Sequence, residues 1–280
     1  MQKQWQNYDL WSKESRIILQ KVKEEINKLL GTKKSKEWIG MGADQTPTAY
    51  IDKIAEDIII DHFKKLPFGF FLLSEEVGWF SHGENPQITI VIDPIEGTHN
   101  AMRRIPPYAS MFGVSASKNM EDMFYSAYIR LDKDEFWEAK KDQGAFCEGK
   151  KVEPSLETKL DNAIIGVDSF FTRTYQGPHG YRESRNYGTI SIHDLYVSSG
   201  QLEGMINAYG RRPHDIAVPA FFLQESGCAV TNISGKSLTG TMLEDKIKLT
   251  TLAAGNKQLY DQLKNMISEG HWQETRWQYR

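Results

Sequence analysis

The chain has 280 residues, 40% hydrophobic and 25% charged, with 34 basic and 37 acidic side chains and a formal net charge of -3. This is the balance of an ordinary globular protein with enough chain for one large core or two modest ones. It points to neither a nucleic acid nor an anionic membrane as partner. Only Cys147 and Cys228 are present, which excludes a stapled secreted framework, leaves a single bridge open and favours a reducing compartment. The opening MQKQWQNYDLWSKES is too polar for a signal peptide and no apolar run reaches membrane-spanning length, so a soluble, cytoplasmic protein is expected.

Residues 5 to 30 carry Leu10, Ile17, Ile18, Val22, Ile26 and Leu29 at helical spacing. The basic break Gly31 to Lys36 reads either as a solvated turn or as a lid over an anion, the segment in question running from 31 to 43. Thr46 followed by Pro47 is a good helix start, and Ile51, Ile54, Ala55, Ile58 and Ile59 continue it as a stripe. Short apolar runs at Phe70 to Leu73 and Ile88 to Ile92 end on Ser74-Glu75-Glu76 and on Asp93. Tyr108 to Ser117 predicts a strand, and Met123 to Ile129 with Phe136 to Lys140 a hairpin.

The polar stretch Lys150 to Lys159 reads as a seam, dividing the chain into a first half, 1–155, and a second half, 156–280. Beyond it, Ala163 to Val167, Leu202 to Asn207 and Lys248 to Ala253 predict strands. Ile190 to Ser198, Ala217 to Glu225 and Gln258 to Ser268 predict helices. Strands and helices mix without strict alternation, so the fold class is α/β or mixed α+β in layers rather than a barrel. No repeat, zinc-finger spacing or Gly-rich nucleotide loop is present.

Chemistry concentrates where apolar runs end on acids. Glu75, Asp93 and Glu96 border runs expected in a sheet, and carboxylates gathered at such a border need hydrogen bonds, partners or a cation. A hard oxygen set of this kind favours Mg²⁺. Pro94 restrains the turn, Ile95 offers a carbonyl, and Gly97-Thr98 supplies backbone N–H groups of the kind phosphate uses. The alternatives at each position are plainer: Asp93 as a turn cap, Glu96 as a solvated acid, Asp52 as a surface acid, and Asp215 as an N-cap just ahead of a helix in which Pro219 falls early.

Taken together, LLSEEVG, VIDPIEGTHNA and HDIAVPAFFLQESG, with GADQTPTAYIDKIAE, resemble the inositol monophosphatase and fructose-1,6-bisphosphatase superfamily of magnesium-dependent, lithium-sensitive phosphatases. The stretches fall in the family's order across most of the chain, and MGADQTPTAYIDKIAE with NAMRRIPPYASM is most similar to its archaeal, dual-activity branch. The resemblance implies a layered αβαβα sandwich, a homodimer or homotetramer, and two or three Mg²⁺ ions per site, with Mn²⁺ as a substitute. It implies that Glu75, Asp93 and the carbonyl of Ile95 form one metal site and Asp93, Glu96 and Asp215 a second, with Glu75 also serving a third ion. Asp52 and Thr98 would orient and deprotonate the attacking water, with Glu75 in the catalytic set, while Gly97 and Thr98 would hold phosphate. His99 is not required by the motif.

Three departures stand out. Glu96 replaces the family's aspartate, moving the carboxylate by roughly an ångström. His214 replaces a tryptophan, and Ala208 stands where animal inositol monophosphatases place a carboxylate for inositol hydroxyls. Arg173, Arg182, Arg185, Arg211 and Arg212 lie among tyrosines in the second half; Arg173, Arg185 and Arg211 are taken as substrate contacts. The expected activity is Mg²⁺-dependent hydrolysis of fructose 1,6-bisphosphate, inositol 1-phosphate or both. The alternatives are a weakened, metabolite-binding regulatory homologue and a 3',5'-bisphosphate nucleotidase.

Overall fold

The computed structural model describes residues 4–43, 45–244 and 246–272. Its α-helices are α1 (Tyr8–Leu29), α2 (Tyr50–Phe63), α3 (Thr98–Arg103), α4 (Ser169–Thr174), α5 (Ile190–Ser198), α6 (Pro213–Ser226) and α7 (Lys257–Glu269). In α1 the buried Trp11, Ser15, Ile18, Leu19, Val22 and Ile26 repeat at the helical period, so one stripe faces the core. Asn7 caps its start by accepting from the Asp9 amide at 2.9 Å.

Five layers result. α1 and α2 cover one face of an eight-stranded sheet, sealed by Trp11, Phe63, Phe70, Phe112 and Tyr125. Its strands run in the order Lys150–Lys151, Gly144–Cys147, Phe136–Lys140, Met123–Arg130, Ala109–Ser115, Ile88–Glu96, Phe70–Ser74 and Gly78–His82. The opposite face packs on α6, through Met111, Met123 and Trp137 against Val218, Phe221 and Phe222. α5 and α6 form the middle layer and contact a second sheet, ordered Glu183–Arg185, Ile164–Val167, Gly204–Arg211, Leu249–Ala254 and Ala229–Thr231. α4 and α7 close its outer side around Phe171, Ile206, Leu252 and Leu263. This is the αβαβα sandwich. Pairing in the first sheet ends at Lys151 and in the second begins at Ile164, yet α6 from beyond that seam contacts strands of both sheets.

Two details of the first sheet decide where the acids go. Phe70–Ser74 and Ile88–Glu96 run parallel with Ser74 opposite Ile92, so the next residues, Glu75 just past its strand and Asp93 still within its own, stand side by side. The Ile88–Glu96 strand also carries a bulge: Asp93 pairs with Met111 and Glu96 with Ala109, three steps against two. In a regular strand residues three apart face opposite ways; the extra residue turns Asp93 and Glu96 to one side.

Several sequence expectations are corrected. The apolar strand does not stop at Asp93; pairing continues through the bulge to Glu96. Thr46-Pro47 does not start a helix, because Pro47–Ala49 pairs antiparallel with Trp38–Met41 and α2 begins only at Tyr50. Proline fits there because that two-stranded ribbon is all edge. α6 starts four residues earlier than expected, so Asp215 is its third residue rather than its cap, and Pro219 lies in its interior. Pro219 therefore brings no N–H to the Asp215 carbonyl one turn back. Of the two states left open for Cys147 and Cys228, the structure has free thiols; burial pushes each up to about 11, so neither has the depressed pKa of a reactive cysteine. Among the described residues no helix is long and apolar enough to cross a membrane.

Candidate active site

The site lies at the edge where the parallel strands end. Asp52, in the first turn of α2, is 4% exposed, which excludes the surface-acid reading. Its Oδ1 is 3.0 Å from the hydroxyl of Thr98, the first residue of α3, and that hydroxyl is also 3.0 Å from the carbonyl of Ile95. Burial, then Glu75 and Glu76, push the Asp52 carboxyl well above the usual carboxylate range, against the Thr98 hydrogen bond. One turn along α2, the buried Glu56 accepts from Ser74 Oγ at 2.5 Å and from the Val77 amide at 3.0 Å. It thus holds both sides of the turn that carries Glu75 and Glu76. Sequence reading passed over Glu56, although its i+4 spacing from Asp52 is the available signal. Glu75 Oε1 accepts from Thr46 at 3.3 Å, and Glu76 accepts from Thr48.

Asp93 is the centre of the cluster. It is 4% exposed and its buried Oδ1 has no hydrogen-bond partner. Burial, then Glu96, Glu75 and Asp215, all drive its carboxyl well above the usual range. These acids come from a strand end, a bulge and α6, and they crowd one buried oxygen. A cation is the chemistry that satisfies such a set; hard carboxylate oxygens and the Ile95 carbonyl suit Mg²⁺ or a like ion. Among the described residues, no three or more His, Cys, Asp or Glu side chains are already closed into a metal cage. The donor types and the orphaned oxygen fit a divalent ion.

Glu96 and Asp215 are tethered. Glu96 Oε1 accepts from the Thr189 hydroxyl at 2.6 Å and from the Ile190 amide at 3.0 Å. Asp215 Oδ2 accepts from the Arg212 amide at 3.2 Å and Oδ1 lies 3.2 Å from His214 Nε2. Burial raises the Asp215 carboxyl, but His214 and Arg211 outweigh it and leave the group below its usual range. Gly97 links the acids to α3 with φ of 87°, a left-handed conformation that suits glycine. A Cβ there would meet the Thr189 side chain at 3.3 Å. The N–H groups of Gly97 and Thr98 open the first turn of α3, where a helix offers them no acceptor of its own.

Beside Thr189 opens a pocket lined by Asp168, Phe170, Arg173, Asn186, Tyr209 and Arg211, among others. Arg173 and Arg211 are therefore in its wall, whereas Arg185 is not and pairs with Glu183 at 2.5 Å. The Arg211 guanidinium and Lys248 Nζ lie 5.1 and 5.0 Å from the Tyr209 ring centroid, giving this wall a positive rim. Asp168, Asn186 and Thr189 were not singled out from sequence; polar residues in loops carry no periodic signal. His99 stacks edge-on to Trp38 and contacts Arg103, away from the carboxylate cluster's hydrogen bonds.

His193, at the back of the pocket, accepts from the Tyr187 amide at 3.2 Å, and burial lowers its pKa to about 4. The unfolded chain therefore binds the extra proton first. The contribution of His193 to stability is complete above about pH 6.5 and is lost as pH drops toward 4, by about 3 kcal/mol. Urea unfolding across that window checks it: His193→Gln should flatten the slope, and an unchanged slope would remove His193 as its source.

A scan of protein families matches the Inositol monophosphatase family over residues 6–271, and the chain belongs to that family. Membership makes it a phosphatase-type hydrolase in class. It is 29% identical over 263 residues to the fructose-1,6-bisphosphatase/inositol-1-monophosphatase of Methanothermobacter thermautotrophicus, covering 89% of this chain and 94% of that protein. It is 28% identical to the bifunctional NADP phosphatase/NAD kinase of Methanocaldococcus jannaschii, over 88% of this chain and 48% of that longer protein. Among solved structures it superposes on a Pyrococcus horikoshii protein described as having similarities to inositol-1 monophosphatase. There the TM-score is 0.78 and the identity 25%, over 93% of this chain and 99% of the other.

Proposed function

We propose that the chain is a Mg²⁺-dependent phosphomonoester hydrolase acting on a phosphorylated sugar or polyol, with fructose 1,6-bisphosphate and inositol 1-phosphate as its leading substrates. The observation that carries this reading is the buried Asp93 oxygen, orphaned among acids, beside a Thr98 hydroxyl 3.0 Å from Asp52. Glu75, Asp93 and the Ile95 carbonyl would hold one ion, and Asp93, the second oxygen of Glu96 and Asp215 another. When bound, such ions supply positive charge for phosphoryl oxygens and acidify water.

The protein's own groups do the rest. Thr98 would give its hydroxyl proton to Asp52, 3.0 Å away, as it receives one from the attacking water; the bond from phosphorus to the ester oxygen breaks on the opposite side, and the departing alkoxide takes its proton from water. The Gly97 and Thr98 amides grip the phosphate oxygens, and they keep that grip as charge builds in the transition state. Arg173 and Arg211 line the neighbouring pocket, where they suit a second anionic or hydroxyl-rich end of the substrate. A bisphosphate sugar uses both ends of such a site.

Phosphate release from fructose 1,6-bisphosphate, inositol 1-phosphate, NADP and adenosine 3',5'-bisphosphate, with and without Mg²⁺ or Mn²⁺, tests the proposal. Metal-dependent turnover of the sugar or inositol ester is the expected result. Turnover of the nucleotides alone would shift the substrate class, and metal-dependent release from none of them would overturn the reading.

A further inference from the structure

The segment 96–100, which runs from the end of the bulge into α3, is stitched to the turn 187–190 of the second half. Asn100 Nδ2 donates to the carbonyl of Tyr187 at 2.7 Å and to that of Pro107 at 3.0 Å. A Cβ on Gly97 would touch the Thr189 side chain, and one on Gly188 would lie 3.1 Å from Asn100 Oδ1. Into this seam reaches Glu96. Thr189 is the N-cap residue of α5, but its side chain makes no capping bond to that helix. It donates to Glu96 Oε1 instead, and the same oxygen accepts the first helical amide, that of Ile190. A carboxylate at this place complements the helix dipole and satisfies an amide that the helix itself leaves open. An aspartate at 96, about one bond shorter, would not span the gap from an unchanged backbone.

We propose that Thr189 is a positioning residue for the acidic centre. With the Ile190 amide it clamps one oxygen of Glu96, so that Glu96 caps α5 across the seam and presents only its second oxygen beside Asp93. The longer side chain at position 96 is thereby accounted for: it ties the two sheets' layers together and sets how the second cation is held. The cation part rests on the proposed function; the cap does not.

The test separates the two. In EDTA, the thermal midpoints of Thr189→Val, Glu96→Asp and the double variant form a cycle. Each single change should lower the midpoint by about 3–6 °C, the loss of a charge-assisted hydrogen bond in a chain this size, and the double should fall no further than the worse single. Additive losses would overturn the clamp. In Mg²⁺, Thr189→Val should raise the ion concentration for half-maximal phosphate release about 3–10-fold, and Thr189→Ser should restore it. Calorimetric Mg²⁺ titration without substrate should show the same weakening. A lowered midpoint with unmoved Mg²⁺ dependence would overturn the positioning role and leave the cap. A wild-type protein without phosphatase activity would fail the proposed function, while the EDTA cycle and the calorimetry would still decide the clamp.

Discussion

Asp93→Asn should abolish most metal-dependent phosphate release, by about 10²–10³-fold or more, while raising the thermal midpoint of the protein in EDTA. The two effects share one cause. Asp93 is buried with Oδ1 unpaired, and Glu96, Glu75 and Asp215 all act against its charge. Without a cation this is stored repulsion of the kind that costs several kcal/mol when a charge is buried alone. The amide removes the charge and offers N–H groups to the neighbouring carboxylates, so a gain of about 2–6 °C is expected from one to two kcal/mol. A site that is costly in the empty protein and indispensable in the loaded one is the signature of function held at the expense of stability. Differential scanning calorimetry in EDTA beside a phosphate-release assay in Mg²⁺ checks both halves. A destabilised variant that kept its activity would show that Asp93 is a structural acid and remove the proposed metal centre.

Asp52→Asn should lower kcat by about 10²–10⁴-fold while leaving KM within a few-fold. The Thr98 hydroxyl stands 3.0 Å from Asp52 Oδ1; the asparagine keeps the shape and loses the base. Thr98→Val should cause a loss of similar size, and the double variant should be little worse than either single one, because both changes break the same proton path. Multiplicative losses would mean that the two residues act separately. Full activity in Asp52→Asn would leave the Thr98 hydroxyl as a donor to the Ile95 carbonyl alone, with no part in the chemistry.

Much of this was legible before any coordinates. The stripe of α1 and the hairpin across 123–140 followed from period and turn chemistry, and the span of α5 was expected at Ile190–Ser198, where it lies. Elements lacking such a signal were missed: Gly78–His82, Gly144–Cys147 and the ribbon of Trp38–Met41 with Pro47–Ala49. Each is short, and the ribbon's 38–41 strand is exposed throughout, so no alternation of apolar and polar residues marks it. Pro47 misled for a physical reason: its fixed φ suits a helix start and an extended edge alike, and only the partner strand chooses between them.

The acids divide in the same way. That Glu75, Asp93 and Glu96 end apolar runs is a property of the chain alone, since local composition sets where a buried strand must give way to charge. Whether they meet is not. Glu75 stands beside Asp93 because two strands pair in parallel with Ser74 opposite Ile92, and Asp93 and Glu96 share a side because a bulge inserts one residue. Asp215 joins them because α6 packs across the first sheet. The Glu96 clamp depends on Thr189, 93 positions away. Side-chain type and local pattern are written residue by residue, and they determined the elements and the acids' chemistry. Register, bulge and the packing of distant layers are cooperative outcomes of the whole core, and they alone decided which acids crowd one oxygen and which side chain holds them there.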